Sequence, residues 1–244
     1  MAKDAQGPPF EAAIFDMDGL LVDSEPLWHE AEVEVLGGLG VPIAQGDPRR
    51  TKGIFVREVT RDWYRRFPWD GPSTDEVATR IVDRVIDLVA QKGRLQPGVE
   101  TAIGLCRGHG LALGLASSSE HRLIRFVLER FALGTHFLVA HSAEDEPYGK
   151  PHPAVFLTTA ARLGAAADRC LVWEDAPAGV VAAKAARMTC VVVPAPEERG
   201  HPAFAIADAV LSSLEEADDG LWRRLVAARD EVADIGGREP VGQG

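Results

Sequence analysis

Apolar, strand-like runs alternate with helical stretches along most of this chain, and that alternation leaves few folds open to it. Residues 12–16, Leu111–Ser117, Phe137–Ala140, Cys170–Trp173 and Thr189–Val193 form five such runs. Helical periodicity covers about 99–108, 120–131, 153–163 and 177–187 between them, and a short strand near Ala209–Leu211 and a helix near 214–229 close the chain. Strands that are apolar throughout are buried on both faces. Separated by helices, they build a parallel sheet with helices on either side. The expected class is α/β, a Rossmann-like doubly wound parallel sheet.

One region breaks the alternation. From Pro26 to Gly93 the patterns are only helical, over 26–38, 54–66 and 74–92. Val77, Ile81, Val85, Leu88 and Val89 fall on one stripe of the last of these. Ser73 and Glu76 have the spacing of a capping box at its start. The expected organisation is an all-helical cap domain at 25–93, inserted into an α/β core made of 1–24 and 94–244. The Gly-, Pro- and charge-rich ends, 1–9 and 231–244, are expected to be loose.

A net charge of −11 supplies no basic footprint, so nucleic acid and anionic membrane are not expected partners. No apolar run is long enough to span a bilayer, and residues 1–9 hold no apolar signal core. Cys106, Cys170 and Cys190 show no metal-ligand spacing, and three cysteines without a framework fit a reducing cytoplasm.

In an open parallel sheet, ligands bind beyond the carboxyl ends of the strands. The first strand runs into Asp16-Met17-Asp18-Gly19. Side chains two apart on an extended segment share a side. Asp16 and Asp18 should therefore share a small volume, where two carboxylates need a cation or a raised pKa. The pair is a metal site, an acid with a base, or both; a turn that merely ends the strand is the plainer alternative. The second strand ends in Ser117-Ser118-Ser119-Glu120. Ser117 and Glu120 have capping-box spacing, and a helix N-terminus also seats phosphate. After the third strand comes Tyr148-Gly149-Lys150-Pro151-His152-Pro153, and after the fourth Glu174-Asp175-Ala176-Pro177. Asp175 could cap the helix that Pro177 begins. Each group alone has a structural explanation, but four converging on one rim describe a site.

These four loops, in this order, resemble those of the haloacid dehalogenase-like hydrolase superfamily, and the helical insertion resembles its cap. The run from Asp16 to Pro26 is similar to the opening signature of the beta-phosphoglucomutase-like subgroup. A closer resemblance is to phosphatases of hexitol phosphates and 2-deoxyglucose 6-phosphate. It rests on Trp63-Tyr64, Pro68-Trp69, Gly71-Pro72-Ser73, Lys150-Pro151-His152-Pro153, the run from Lys184 to Met188 and the run from Val193 to Glu197.

The resemblance implies a Mg²⁺-dependent phosphatase of small sugar or polyol phosphates, and a monomer is the default expectation for a capped enzyme of this size. Asp16 would attack phosphorus to form an aspartyl-phosphate, and Asp18 would serve as acid and then base. Mg²⁺ would rest on the Asp16 carboxylate, the Asp18 backbone carbonyl and Asp175, with Glu174 acting directly or through a water. Lys150, Ser117 and the backbone near Ser118 would hold the phosphoryl oxygens. Trp28, Lys52, Phe55 and Arg57 are the cap candidates to face the sugar, with core packing the other reading of Trp28 and Phe55. The resemblance leaves two alternatives, a sugar-phosphate mutase and a non-catalytic binding protein on the same fold. Mutases of the subgroup carry a histidine where this chain has Trp28, and dehalogenase relatives lack the counterpart of Asp18. Phe55 stands where such phosphatases carry arginine, and Ala176 where a serine is common.

Overall fold

The computed structural model describes residues 8–43 and 51–236, with side chains as far as residue 230. Six strands form one parallel sheet in the order β3-β2-β1-β4-β5-β6. They are β1 (Ala12–Phe15), β2 (Ala112–Ser117), β3 (Val139–Ser142), β4 (Cys170–Glu174), β5 (Thr189–Val192) and β6 (Ala209–Val210). The central strand β1 sets Ile14 opposite Gly114 on one side and Val172 on the other.

Successive side chains of a strand point to opposite faces, and β1 divides accordingly. Ala13 and Phe15 enter the larger core, which takes in α4 (Val99–Gly108), α5 (His121–Arg130) and the start of α8 (Asp219–Gly236). Ala12 and Ile14 enter the smaller core under α6 (Ala154–Leu163) and α7 (Pro177–Ala185). Both faces are thus covered, which is why the strands read as unbroken apolar runs. In the larger core Phe15 stacks on Trp173 with ring centroids 5.7 Å apart.

Among the described residues, three α-helices lie between β1 and α4: α1 (Glu25–Gly37), α2 (Val56–Arg66) and α3 (Thr74–Lys92). Helix α3 packs against both of the others. Its capping box forms, with Ser73 Oγ accepting the Glu76 N–H at 3.2 Å and Glu76 accepting the Ser73 N–H at 2.7 Å. The chain enters and leaves this insertion side by side. The Asp23 N–H donates to Arg94 O and the Gln96 N–H to Leu21 O, both at 2.9 Å.

Three expectations need correction. Strand β3 lies two residues later than the apolar run at 137–140 indicates. Phe137 packs edge-on against Phe15 and Leu138 is 77% exposed, while the polar pair His141 and Ser142 is fully buried. His141 Nε2 pairs with Glu146 at 2.6 Å while its Nδ1 has no hydrogen-bond partner among the described residues, and Ser142 Oγ donates to Ser119 O at 2.6 Å. The last helix does not begin at 214; a separate 3-10 turn occupies Leu214–Glu216. Helix α8 then continues to Gly236, through residues expected to be loose. At the other end the Pro8 carbonyl accepts a hydrogen bond from Arg169, so Pro8 is tied to the core. The remainder of the two expected loose ends, 1–7 and 237–244, falls outside the described residues.

Candidate active site

Strand order reverses between β1 and β4, where an open sheet leaves a crevice at its carboxyl edge. Asp16 follows β1 directly and donates its N–H to Trp173 O at 2.9 Å. Lys150, itself 1% exposed, reaches the same point from the loop before α6. Its Nζ donates to Asp16 Oδ1 at 2.5 Å, to Glu174 Oε1 at 2.7 Å and to Ala116 O at 3.2 Å. Burial pulls this ammonium down, but Asp16 and Glu174 together outweigh it and hold Lys150 above the ordinary lysine range. Burial likewise pushes the Asp16 carboxyl well above the usual carboxylate range, opposed by Lys150 and reinforced by Glu174, Asp175 and Asp18.

Glu174 has both oxygens engaged. While Oε1 holds Lys150, Oε2 accepts the N–H groups of Asp175 at 2.8 Å and Ala176 at 3.0 Å. Gly179, in the first turn of α7, is pressed against it; a Cβ there would sit 1.7 Å from Oε1. Gly179→Ala is therefore expected to displace Glu174 or the helix start, destabilising the fold by about 1–3 kcal/mol. A lower melting midpoint together with lost turnover would show it.

Asp175 is buried at 2% exposure. Its Oδ2 lies 2.7 Å from Lys52 Nζ in a buried ion pair, and Oδ1 has no partner among the described residues. Burial raises this carboxyl well above its ordinary range, with Lys52 opposing and Glu174 and Glu25 adding to the rise. Asp16, Glu174 and Asp175 each bring one oxygen within 4.8 Å of the others. An orphaned carboxylate oxygen in such a cluster fits a hard divalent cation, which takes oxygen ligands. Gly19, at φ +76, makes the close approach possible, since a Cβ on it would lie 2.0 Å from Asp175 Oδ2.

Asp18 sits differently. Its Oδ1 accepts from Ser24 Oγ at 2.7 Å and Trp28 Nε1 at 2.8 Å, and its Oδ2 from Ser119 Oγ at 2.6 Å and more distantly Ser117 Oγ at 3.5 Å. The capping box expected at Ser117 and Glu120 does not form. Ser117 Oγ takes the Ser119 N–H at 3.0 Å instead, and Glu120 pairs with Arg57 and Arg122. Asp175 does not cap α7 either; Ala176 occupies that position.

The helical insertion closes over these groups. Lys52 is 2.7 Å from both Asp175 and Glu198, Ser118 Oγ donates to Gly53 O at 2.7 Å, and the Gly149 N–H donates to Glu58 at 3.2 Å. Between the layers remains a cavity of about 60 Å³, with Asp16, Asp18 and Ser117 on its floor and Trp28, His29, Glu32 and Lys52 on its roof. Of the four residues expected to face a substrate, Trp28 and Lys52 line this cavity. Phe55 instead packs beside Gly149, and Arg57 pairs with Glu120 across the seam. The hydroxyl of Ser118 is spent on the insertion. The sequence pattern gave no notice of Ser24 and Ser119 as partners of Asp18, or of Glu25, His29 and Glu32 in the roof. Glu25, Trp28, His29 and Glu32 share one face of α1 at helical spacing, so periodicity applied to polar residues would have found them.

Residues 10–187 match the family model described as haloacid dehalogenase-like hydrolase. The chain belongs to that family. This hydrolase is 48% identical over 206 residues to hexitol phosphatase B of Escherichia coli strain K12, covering 84% of this chain and 93% of that protein. It is 31% identical over 176 residues to the phosphorylated carbohydrates phosphatase of Thermotoga maritima, covering 72% and 81%. Among solved structures, a beta-phosphoglucomutase from Clostridium difficile superposes with a TM-score of 0.79 at 23% identity, covering 91% and 99%. That likeness concerns the fold. The haloacid dehalogenase-like hydrolase described here is a phosphatase, a phosphoric monoester hydrolase. Among its described residues, no helix is long and apolar enough to cross a membrane.

Proposed function

We propose that this hydrolase releases phosphate from small sugar or polyol phosphates of the hexitol phosphate or 2-deoxyglucose 6-phosphate type, through an aspartyl-phosphate. The observation that carries the proposal is the unequal treatment of two neighbouring carboxylates. Asp16 is clamped by Lys150 on one oxygen, while no hydrogen bond among the described residues engages the other. Asp18 is held entirely by neutral hydroxyl and indole donors.

The free Asp16 oxygen attacks phosphorus, and the bond from phosphorus to the leaving oxygen breaks. Asp18 protonates that leaving alkoxide, then takes a proton from the water that attacks the aspartyl-phosphate. Lys150 and Ser117 offer donors to the phosphoryl oxygens where charge accumulates. Asp16, Asp175 and the Asp18 backbone carbonyl would hold Mg²⁺, which when bound supplies positive charge to offset carboxylate and phosphate. Glu174 orients Lys150 and the loop that carries Asp175. Trp28 separates this chemistry from a mutase, because an indole N–H donates but cannot accept a proton. Residues 25–93 act as the cap. A cavity of about 60 Å³ is too small for a hexitol phosphate, so the cap opens to admit it and closes to exclude water.

The test is phosphate release by the purified chain with Mg²⁺, across sugar, polyol and nucleotide phosphates. A hexitol or deoxysugar phosphate should lead; a nucleotide leading, or interconversion of sugar phosphates without net release, would overturn the assignment. Chelating divalent metal should stop hydrolysis, with Mg²⁺ restoring it and raising the melting midpoint. Metal-independent turnover would remove the role given to Asp175.

A further inference from the structure

Glu32 is a buried carboxyl that the mechanism above does not use. It is 7% exposed, lines the cavity between sheet and insertion, and has no hydrogen bond or ion pair among the described residues. Burial without a nearby cation holds its carboxyl up at about 7. A carboxyl poised there can both donate and accept, which is what a hydroxyl requires of a partner. His29, also in the roof, keeps a buried Nδ1 with no partner among the described residues. A buried polar group left unpaired costs stability, and two of them facing one cavity point to a ligand that pairs them.

Position narrows the ligand. Trp28 donates to Asp18, where the leaving oxygen is protonated. Glu32 lies four residues further along the same helix, about 6 Å by the helical rise. That is the distance at which hydroxyl-bearing carbons follow the ester oxygen. Among the described residues lining the cavity the cation is Lys52, and Asp175 and Glu198 already hold it. Little remains to balance a second anionic group. We propose that Glu32, with His29, binds hydroxyls of the ester's leaving group and thereby selects a polyhydroxylated, uncharged substrate. This rests on the phosphatase assignment above.

The experiment compares the purified wild-type chain with Glu32→Leu and Glu32→Gln, in Mg²⁺, on a hexitol phosphate, on n-butyl phosphate and on 6-phosphogluconate. Leucine should lower the kcat/KM ratio of hexitol phosphate over butyl phosphate by about tenfold to a hundredfold, the range for a hydrogen bond made to a charged group. Most of that should appear in KM. Preference for hexitol phosphate over 6-phosphogluconate should fall too, and glutamine should lie between leucine and wild type. Leucine should also melt higher than wild type, since it removes an unpaired buried acid. A merely structural glutamate would give the opposite, a lower melting midpoint with an unchanged ratio, and an unchanged ratio in an active variant overturns the proposal. If the wild-type chain hydrolyses butyl phosphate but not the hexitol ester, the substrate class itself falls and the role of Glu32 with it.

Discussion

Asp16→Asn is expected to stop turnover while leaving the fold in place. The substitution is nearly isosteric and removes the oxygen proposed as the nucleophile. Loss of such a group in enzymes that form a covalent intermediate costs about 10⁴-fold or more in kcat. The fold should tolerate it because the change removes a negative charge from a buried group already crowded by Glu174, Asp175 and Asp18. Lys150 keeps two other acceptors, Glu174 and Ala116 O. Phosphate release and a melting curve check the two halves separately. Substantial residual hydrolysis would show that another group attacks phosphorus.

Lys150→Met should fail on both counts. It leaves Glu174 Oε1 and Asp16 Oδ1 without their shared cation, in a site where both carboxylates are more than nine-tenths buried. Removing one partner from a buried ion pair costs about 3–5 kcal/mol. For a chain of this size that corresponds to a fall of about 6–20 °C in melting midpoint. The phosphoryl group would also lose the donor proposed for it, worth about 10²–10³ in kcat. Adding Glu174→Gln to Lys150→Met should recover part of the stability, by removing one stranded charge, and none of the activity. Equal melting of the single and double variants would show that the carboxylates, left without Lys150, carry no penalty.

The sheet was readable in the sequence because its strands are buried on both faces, which leaves unbroken apolar runs such as that at 170–173. It failed at β3, where His141 and Ser142 are buried polar residues whose partners only the fold supplies. At the site, Asp16, Asp18, Lys150, Glu174 and Asp175 announce themselves by following strands. The donors to Asp18 were not legible, because Ser24 and Ser119 reach it from different segments and a serine carries no pattern of its own. Lys52 is a similar case. It reads as one more charge in a polar stretch, and only closure of the insertion sets it 2.7 Å from Asp175 and from Glu198, more than a hundred residues away. Phe55 and Arg57 went to the seam because Phe55, the extended residue before α2, packs beside Gly149, and Arg57, in the first turn of α2, finds Glu120 at 2.8 Å.

The insertion joins the sheet by two adjacent chain crossings, tied to each other at Asp23–Arg94 and Leu21–Gln96. That narrow attachment separates two kinds of inheritance. On the assignment proposed above, changes on the roof face of α1 would alter which ester is accepted while the carboxylates on the sheet keep their spacing, because substitutions far apart without shared partners act independently. Roof residues that bond to those carboxylates are exempt from this freedom, Lys52 through Asp175 among them. Trp28 belongs to the roof yet donates to Asp18, so divergence toward a new substrate can rewrite Glu32 or His29 cheaply but must carry Trp28 along unchanged or alter the chemistry with it.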